Sequence, residues 1–178
     1  MTIVVTNSGK VTIVEGSGVT TVVDCPNMLA SQDNPPPVYE WSGVDVTCPT
    51  GWTSSEHGYG RMRSGNNAYG NLPSPSGSPY YNKIQGSGRF MTTIVGNLLI
   101  GRPYQLSGFM SSRPDFDPSV LEIKVDGVVI LHTGPLGAGF VAFGPITVIA
   151  TATSHTLGFF NASDVGDRTV LIDGLSLK

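Results

Sequence analysis

From residue 83 onward, turn-forming residues (Gly, Pro, Asn, Asp, Ser) interrupt the chain every 8–15 residues, and the runs between them are rich in β-branched and aromatic residues. A chain written this way has no room for long helices. Its β-branched side chains suit a pleated, half-buried surface, and the residues between them supply tight turns. Candidate strands span 89–95, 102–111, 120–126, 128–133, 139–150, 154–161 and 168–177. Leu121-Glu122-Ile123-Lys124-Val125 alternates apolar and charged residues, which predicts one buried face. Asp126-Gly127 follows, and then Val128-Val129-Ile130-Leu131. Asp-Gly between two such runs predicts a hairpin, because both turn residues need positive φ. The spacing as a whole predicts an all-β sandwich or barrel. Composition agrees: 23 Gly and 13 Pro make up about a fifth of the 178 residues, well above average, and only 13% are charged.

The front of the chain reads differently. Thr2–Val5, Lys10–Val14 and Val19–Val23 are β-branched runs separated by Asn7-Ser8-Gly9 and Gly16-Ser17-Gly18. Three short strands cannot form a stable core alone. They must pair with the main domain, with a neighbouring subunit or with another protein; residues 1–24 are expected to be a β arm for assembly or attachment, with Ile3, Val5, Val11, Ile13 and Val22 as its contact residues, and the alternative is that they are the first strands of the one domain. Residues 25–178 are expected to form the sandwich. Its first part, 25–82, reads as a long aromatic-rich loop region with short strands around 38–46 and 80–85.

Several later segments resemble the galactose-binding-like β-sandwich domains. They are Gly101-Arg102-Pro103-Tyr104-Gln105-Leu106-Ser107-Gly108-Phe109, Arg113-Pro114 followed by Leu121-x-Ile123-x-Val125-Asp126-Gly127, His155-Thr156-Leu157-x-Phe159, and Asp167–Leu177. Pro49-Thr50-Gly51-Trp52 is similar to a motif near that family's start, and the resemblance covers about 130 residues. It implies a jelly-roll sandwich of two antiparallel sheets. It also implies a non-catalytic module of the kind that binds carbohydrate, in which a structural calcium is common. Asp173 would be the side-chain donor for such a calcium here, although the family's closing Asp-Asn is Asp173-Gly174 in this chain. No other cofactor is expected.

The chemistry of the residues fits a binding role better than catalysis. No G-x-S-x-G, H-E-x-x-H or C-x-x-C motif occurs, and the three histidines, His57, His132 and His155, read as solvated or packing residues. Gly86-Ser87-Gly88 and the Gly134–Gly139 run read as turns, since no helix pattern follows either. Net charge is −3 with no Lys/Arg cluster, which argues against nucleic acid as a partner. No run reaches the length of a membrane span, and membrane insertion is not expected. Cys25 and Cys48 would be bridged in an oxidising compartment and free in a cytoplasm. The candidate contacts for a glycan or a protein are Trp52, Tyr59, Arg61, Tyr69, Tyr80 and Tyr81, with Tyr59, Tyr69 and Tyr80 expected to be exposed in turns.

The opening residues, Met1–Glu15, resemble N-terminal attachment segments of phage tail-fibre and related virion proteins, and they lack the pattern of a secretory signal. The expectation is a non-catalytic phage virion structural protein, either capsid decoration (cement) or a tail-associated adhesin. It would be made in the host cytoplasm and displayed on the virion surface. Its partners would be the virion's own capsid or tail proteins, sister subunits in a homotrimer, and a cell-surface glycan. The alternative is a stand-alone secreted carbohydrate-binding module.

Overall fold

A computed structural model describes Leu29, residues 51–55, 59–116 and 118–178, and the backbone of three short strands nearer the N-terminus. Those three are β1 (Ile3–Val5), β2 (Val11–Ile13) and β3 (Val44–Asp45). They are followed by β4 (Trp52–Ser54), β5 (Tyr59–Arg63), a 3-10 turn (Asn67–Tyr69), β6 (Tyr80–Gln85) and β7 (Phe90–Val95). Next come β8 (Pro103–Ser112), β9 (Leu121–Val125), β10 (Val128–His132), β11 (Val141–Ile149), β12 (His155–Asn161) and β13 (Thr169–Leu177). Strands β7 to β13 match the seven expected runs to within two residues. At the β9–β10 hairpin, Asp126 and Gly127 both adopt positive φ, 49° and 81°.

Two antiparallel sheets form the body. One has the order β10-β9-β12-β7-β4, the other β11-β8-β13-β6-β5-β3. β1 and β2 pair with each other, Ile3 opposite Ile13 and Val5 opposite Val11. The third arm run, with Val22, lies outside the described residues. The excursion expected over 25–82 contains two strands, β4 and β5, that its sequence did not suggest.

Alternate residues of both sheets point inward and meet in one apolar layer. Met91, Leu121, Ile123, Leu157 and Phe159 from the first sheet face Ile84, Leu106, Val170 and Ile172 from the second. At about 1.5–3 kcal/mol for each large side chain fully buried, this layer is the main source of stability. A smaller apolar cluster, Met62, Tyr69, Tyr81 and Leu171, lies on the opposite face of the six-stranded sheet. The connection from Ser64 to Pro79 covers it.

Three local devices hold that connection down. Asn66 caps the 3-10 turn, accepting a hydrogen bond from the Ala68 N–H at 2.9 Å, and Gly70 ends it in the left-handed region at φ 68°. A Cβ on Gly70 would stand 2.6 Å from Pro114 Cγ, so the turn packs against this proline only because Gly70 has no side chain. The Arg113 guanidinium lies between the rings of Tyr69 (4.4 Å) and Phe116 (3.7 Å) and donates to the Ala68 carbonyl at 3.1 Å. Buried Asp173 accepts from Ser74 Oγ (2.7 Å), Ser76 N–H (3.1 Å) and Ser76 Oγ (3.0 Å).

Candidate functional site: the outer face of the five-stranded sheet

Strand alternation decides which side chains this face presents. In β12, His155, Leu157, Phe159 and Asn161 point into the sandwich, so Thr156, Gly158 and Phe160 point out. The register then aligns two rows across the sheet. One row runs His132, Glu122, Phe160, Phe90. The other runs Val129, Lys124, Gly158, Thr92, Thr53. The five strands together are about 19 Å wide.

Phe160 is the centre of this surface. A Cβ on Gly158 would lie 2.6 Å from Phe160 Cε2 and 3.0 Å from Thr92 Cγ2, so the phenyl ring reclines over the bare backbone of Gly158. A glycine inside a strand marks a place where something approaches the backbone closely; here it is this ring. Phe90 adjoins it at 5.5 Å between centroids, tilted by 37°. On the other side the Lys124 ammonium sits 4.5 Å from the ring centroid, a favourable cation–π distance. Lys124 also pairs with Glu122 at 2.8 Å, and Glu122 meets His132 Nδ1 at 2.9 Å. The hydrogen bond from Lys124, and then that from His132, holds the Glu122 carboxyl below its ordinary pKa. The result is a half-exposed aromatic floor flanked by an ordered acid, a cation and an imidazole whose side chain is 56% exposed.

The other outer face is not equivalent. Its β5, β6 and β13 portion is covered by the Ser64–Pro79 connection, and this changes the reading of the aromatic candidates. Trp52 is in the main core, 6.1 Å from Phe159. Tyr59 is buried and donates to Asn82 Oδ1 at 2.9 Å. Arg61 is 1% exposed. Tyr69 is buried beneath Arg113, and Tyr81 is buried edge-on to Phe140 at 5.3 Å. Tyr80 is half-buried. The exposure expected for Tyr59 and Tyr69 is therefore corrected: Tyr59 is a β5 residue in the main core, and the turn that carries Tyr69 folds back over the sheet instead of projecting from it. Burial also raises the pKa of the Tyr69 and Tyr81 hydroxyls and lowers that of Lys83.

Asp173, the candidate calcium donor, is buried at the base of the Ser64–Pro79 connection. Its carboxylate is engaged by Ser74 and Ser76, and the described residues contain no group of three or more metal-ligating side chains. His155 is a structural tie. Its Nε2 accepts from the Thr151 and Ala152 N–H groups at 3.0 and 3.2 Å, so Nδ1 carries the proton that it donates to Asp126. Asp126 also accepts from the Thr156 N–H at 2.7 Å, and these bonds lower its pKa. Both ring nitrogens are engaged, which leaves no lone pair for proton transfer to a substrate.

Sequence reasoning did not find Phe160, Phe90 or the Glu122–Lys124–His132 group as a site. One signal was available. Alternation already turned Glu122 and Lys124 outward, and Gly158 stands out as the single glycine in the 154–161 strand run.

Neither a family model nor a curated protein sequence matches the chain. Solved structures do. The CBM22-1 xylan-binding domain of Xyn10C from Paenibacillus barcinonensis superposes with a TM-score of 0.51 at 12% identity, over 72% of this chain and 85% of that one. A cleaved adhesin domain of Lys-gingipain from Porphyromonas gingivalis gives a TM-score of 0.52 at 10% identity, over 73% and 91%. A second cleaved adhesin domain of Lys-gingipain gives 0.52 at 12% identity, over 73% and 89%. The chain shares with these domains a jelly-roll β-sandwich fold of two antiparallel sheets.

Proposed function

We propose that this chain is a non-catalytic glycan-binding module whose ligand lies across the outer face of the five-stranded sheet. The observation that carries the reading is Phe160 reclining over Gly158. A sugar ring offers a flat patch of C–H groups, and partly exposed aromatic rings on an outer sheet face, here Phe160 and Phe90, are surfaces such a patch packs against. The hydroxyls at the sugar's rim need charged or polar partners at fixed positions. Glu122, Lys124 and His132 stand on one side of the floor, and Thr92 and Thr53 on the other. A xylan-binding domain of the same fold, from Paenibacillus, is consistent with this use of the scaffold.

A glycan array followed by titration calorimetry tests the reading. Phe160→Ala should abolish binding to whichever oligosaccharide is captured, while Tyr80→Ala should leave it within about twofold. Silence across a broad array, or undiminished binding by Phe160→Ala, refutes it.

A second element of the reading concerns context. Among the described residues, β1 and β2 pair with no strand of either large sheet, which suits an arm. On this reading residues 1–24 attach the module to a phage capsid or tail and the sandwich is displayed outward as a decoration protein or adhesin. The alternative is a secreted module. Deleting residues 2–24 should abolish particle attachment and leave glycan binding intact. Full decoration by the truncated protein would exclude the arm.

A further inference from the structure

Strands at sheet edges present unpaired N–H and C=O groups, and natural proteins blunt them with charge, shortness or bulges. Among the described residues, three of the four edge strands of the two large sheets are blunted. β4 has three residues, β3 has two, and β10 has five with a register shift between Val129 and Leu131. β11 is nine residues long and, among the described residues, pairs on one side only, with β8, at the edge of the six-stranded sheet. From Thr133 to Ser154 the chain carries no Asp, Glu, Lys, Arg or His.

The hydrogen-bond pattern shows which groups are open. Ala150 directs both its N–H and its C=O toward the β8 side, to the Arg102 carbonyl (3.1 Å) and the Gly101 N–H (2.7 Å). Gln105, opposite Thr147, directs both of its groups away from β11, to Lys178 on the β13 side, at 2.8 and 3.2 Å. By the alternation of an antiparallel ladder, Ile146 and Val148 bond to β8, while Thr147 and Ile149 point their backbone groups outward. The bulge between Phe143 and Ile146 confines the regular open edge to Ile146–Ile149. Beside it, the Gly101–Ala150 bond brings the Leu99-Ile100 loop close. Ile149, Leu99 and Ile100 are 60%, 60% and 67% exposed.

We propose that this edge is an interface with a second copy of the chain, formed by antiparallel β11–β11 pairing about a two-fold axis at Val148. The axis makes Thr147 of one copy face Ile149 of the other, and each such pair exchanges two backbone hydrogen bonds. An isologous interface must be self-complementary. An uncharged strand meets this condition, since a charge near the axis would face its own copy. The two six-stranded sheets become one continuous sheet, and Ile149, Leu99 and Ile100 pack across the seam. The area is on the order of 1,000 Å² in total, the low end of specific interfaces, which implies a micromolar dimer.

Sedimentation velocity of the full chain tests this across roughly 5–500 µM, with reductant present so that Cys25 and Cys48 cannot link copies. The expected result is a concentration-dependent monomer–dimer equilibrium. Ile149→Lys and Thr147→Lys, both at exposed positions, should each weaken the dimer at least about tenfold by placing like charges beside the axis. Ile94→Lys, equally exposed on the other sheet, should not. Circular dichroism checks that each variant is folded. A wild-type monomer at all concentrations, a trimer, or a dimer indifferent to both β11 substitutions would overturn the proposal.

Discussion

Gly158→Ala probes the site and the packing together. The backbone at Gly158 is not in the left-handed region, so alanine has no conformational penalty there. In an open strand position the change would stabilise by roughly 0.5–1 kcal/mol, because the unfolded chain loses freedom. Here the new methyl would sit 2.6 Å from Phe160 Cε2 and 3.0 Å from Thr92 Cγ2. Relieving such overpacking costs about 1–3 kcal/mol. The net expectation is a loss of about 1–2 kcal/mol, a fall in Tm of about 2–8 °C for a chain of this size. The ring must swing off the sheet, so glycan affinity should fall together with stability. A double-mutant cycle isolates the cause. In a Phe160→Ala background the nearest atom left to the added methyl is Thr92 Cγ2, the end of a small side chain, and Gly158→Ala should become neutral or stabilising. Thermal denaturation of the four proteins, with calorimetry on the folded ones, provides the cycle. If Gly158→Ala costs the same with and without the ring, or leaves stability and binding untouched, the reclining ring is not what the glycine accommodates.

Four further outcomes are expected. Among the described residues the buried Tyr81 hydroxyl has no hydrogen-bond partner, so Tyr81→Phe should be neutral or stabilising, by up to about 1–3 kcal/mol in urea denaturation; a clear loss would mean the hydroxyl is satisfied. Asp173→Ala should cost about 2–4 kcal/mol by removing a charged acceptor of three hydrogen bonds, and limited proteolysis should then cut between Ser74 and Ser78; a protease-resistant variant would refute the clamp. Asp126, held below its ordinary pKa by His155 and Thr156, contributes stability that is present above the ordinary carboxylate range and is lost as pH falls through its lowered value; Asp126→Asn should therefore lose less Tm than wild type between neutral pH and about pH 3. Lys83, whose pKa burial lowers, binds its proton more weakly in the folded chain, so its contribution to stability rises with pH between that lowered value and the ordinary one. The wild-type stability relative to Lys83→Met should increase across that window, and a flat difference would contradict the burial.

Much of the second half of the fold was legible because strands such as β9 alternate between a buried and a more open face. Glu122 and Lys124 alternate with Leu121, Ile123 and Val125, and Asp126-Gly127 fixes the turn. β5 escaped for the opposite reason. Tyr59 lies against the main core and Met62 under the Ser64–Pro79 connection, so both faces are buried and the strand shows no alternation. The same covering hid the fate of Tyr69 and Tyr81. Tyr59 and Tyr80 open strands β5 and β6; Gly70 beside Tyr69 does mark a turn, but it does not say whether the turn projects or folds back. That depends on Asp173, about 100 positions later in the chain, gripping Ser74 and Ser76. The site was half legible: alternation put Glu122 and Lys124 on the outer face, but the stacking of Phe160 on Gly158 needs the register between strands.

The position of β13 has a consequence for biogenesis. It is synthesised after both of its neighbours, yet it lies between β8 and β6 in the middle of the six-stranded sheet. Until Thr169–Leu177 emerge from the ribosome, β8 and β6 have no shared partner and the inner layer lacks Val170 and Ile172. A premature stop before Thr169 would thus leave two unjoined half-sheets, a substrate for chaperones and proteases and not a shortened version of the module. Insertions and fusions should be better tolerated at the Gly86-Ser87-Gly88 turn than within the closing strand.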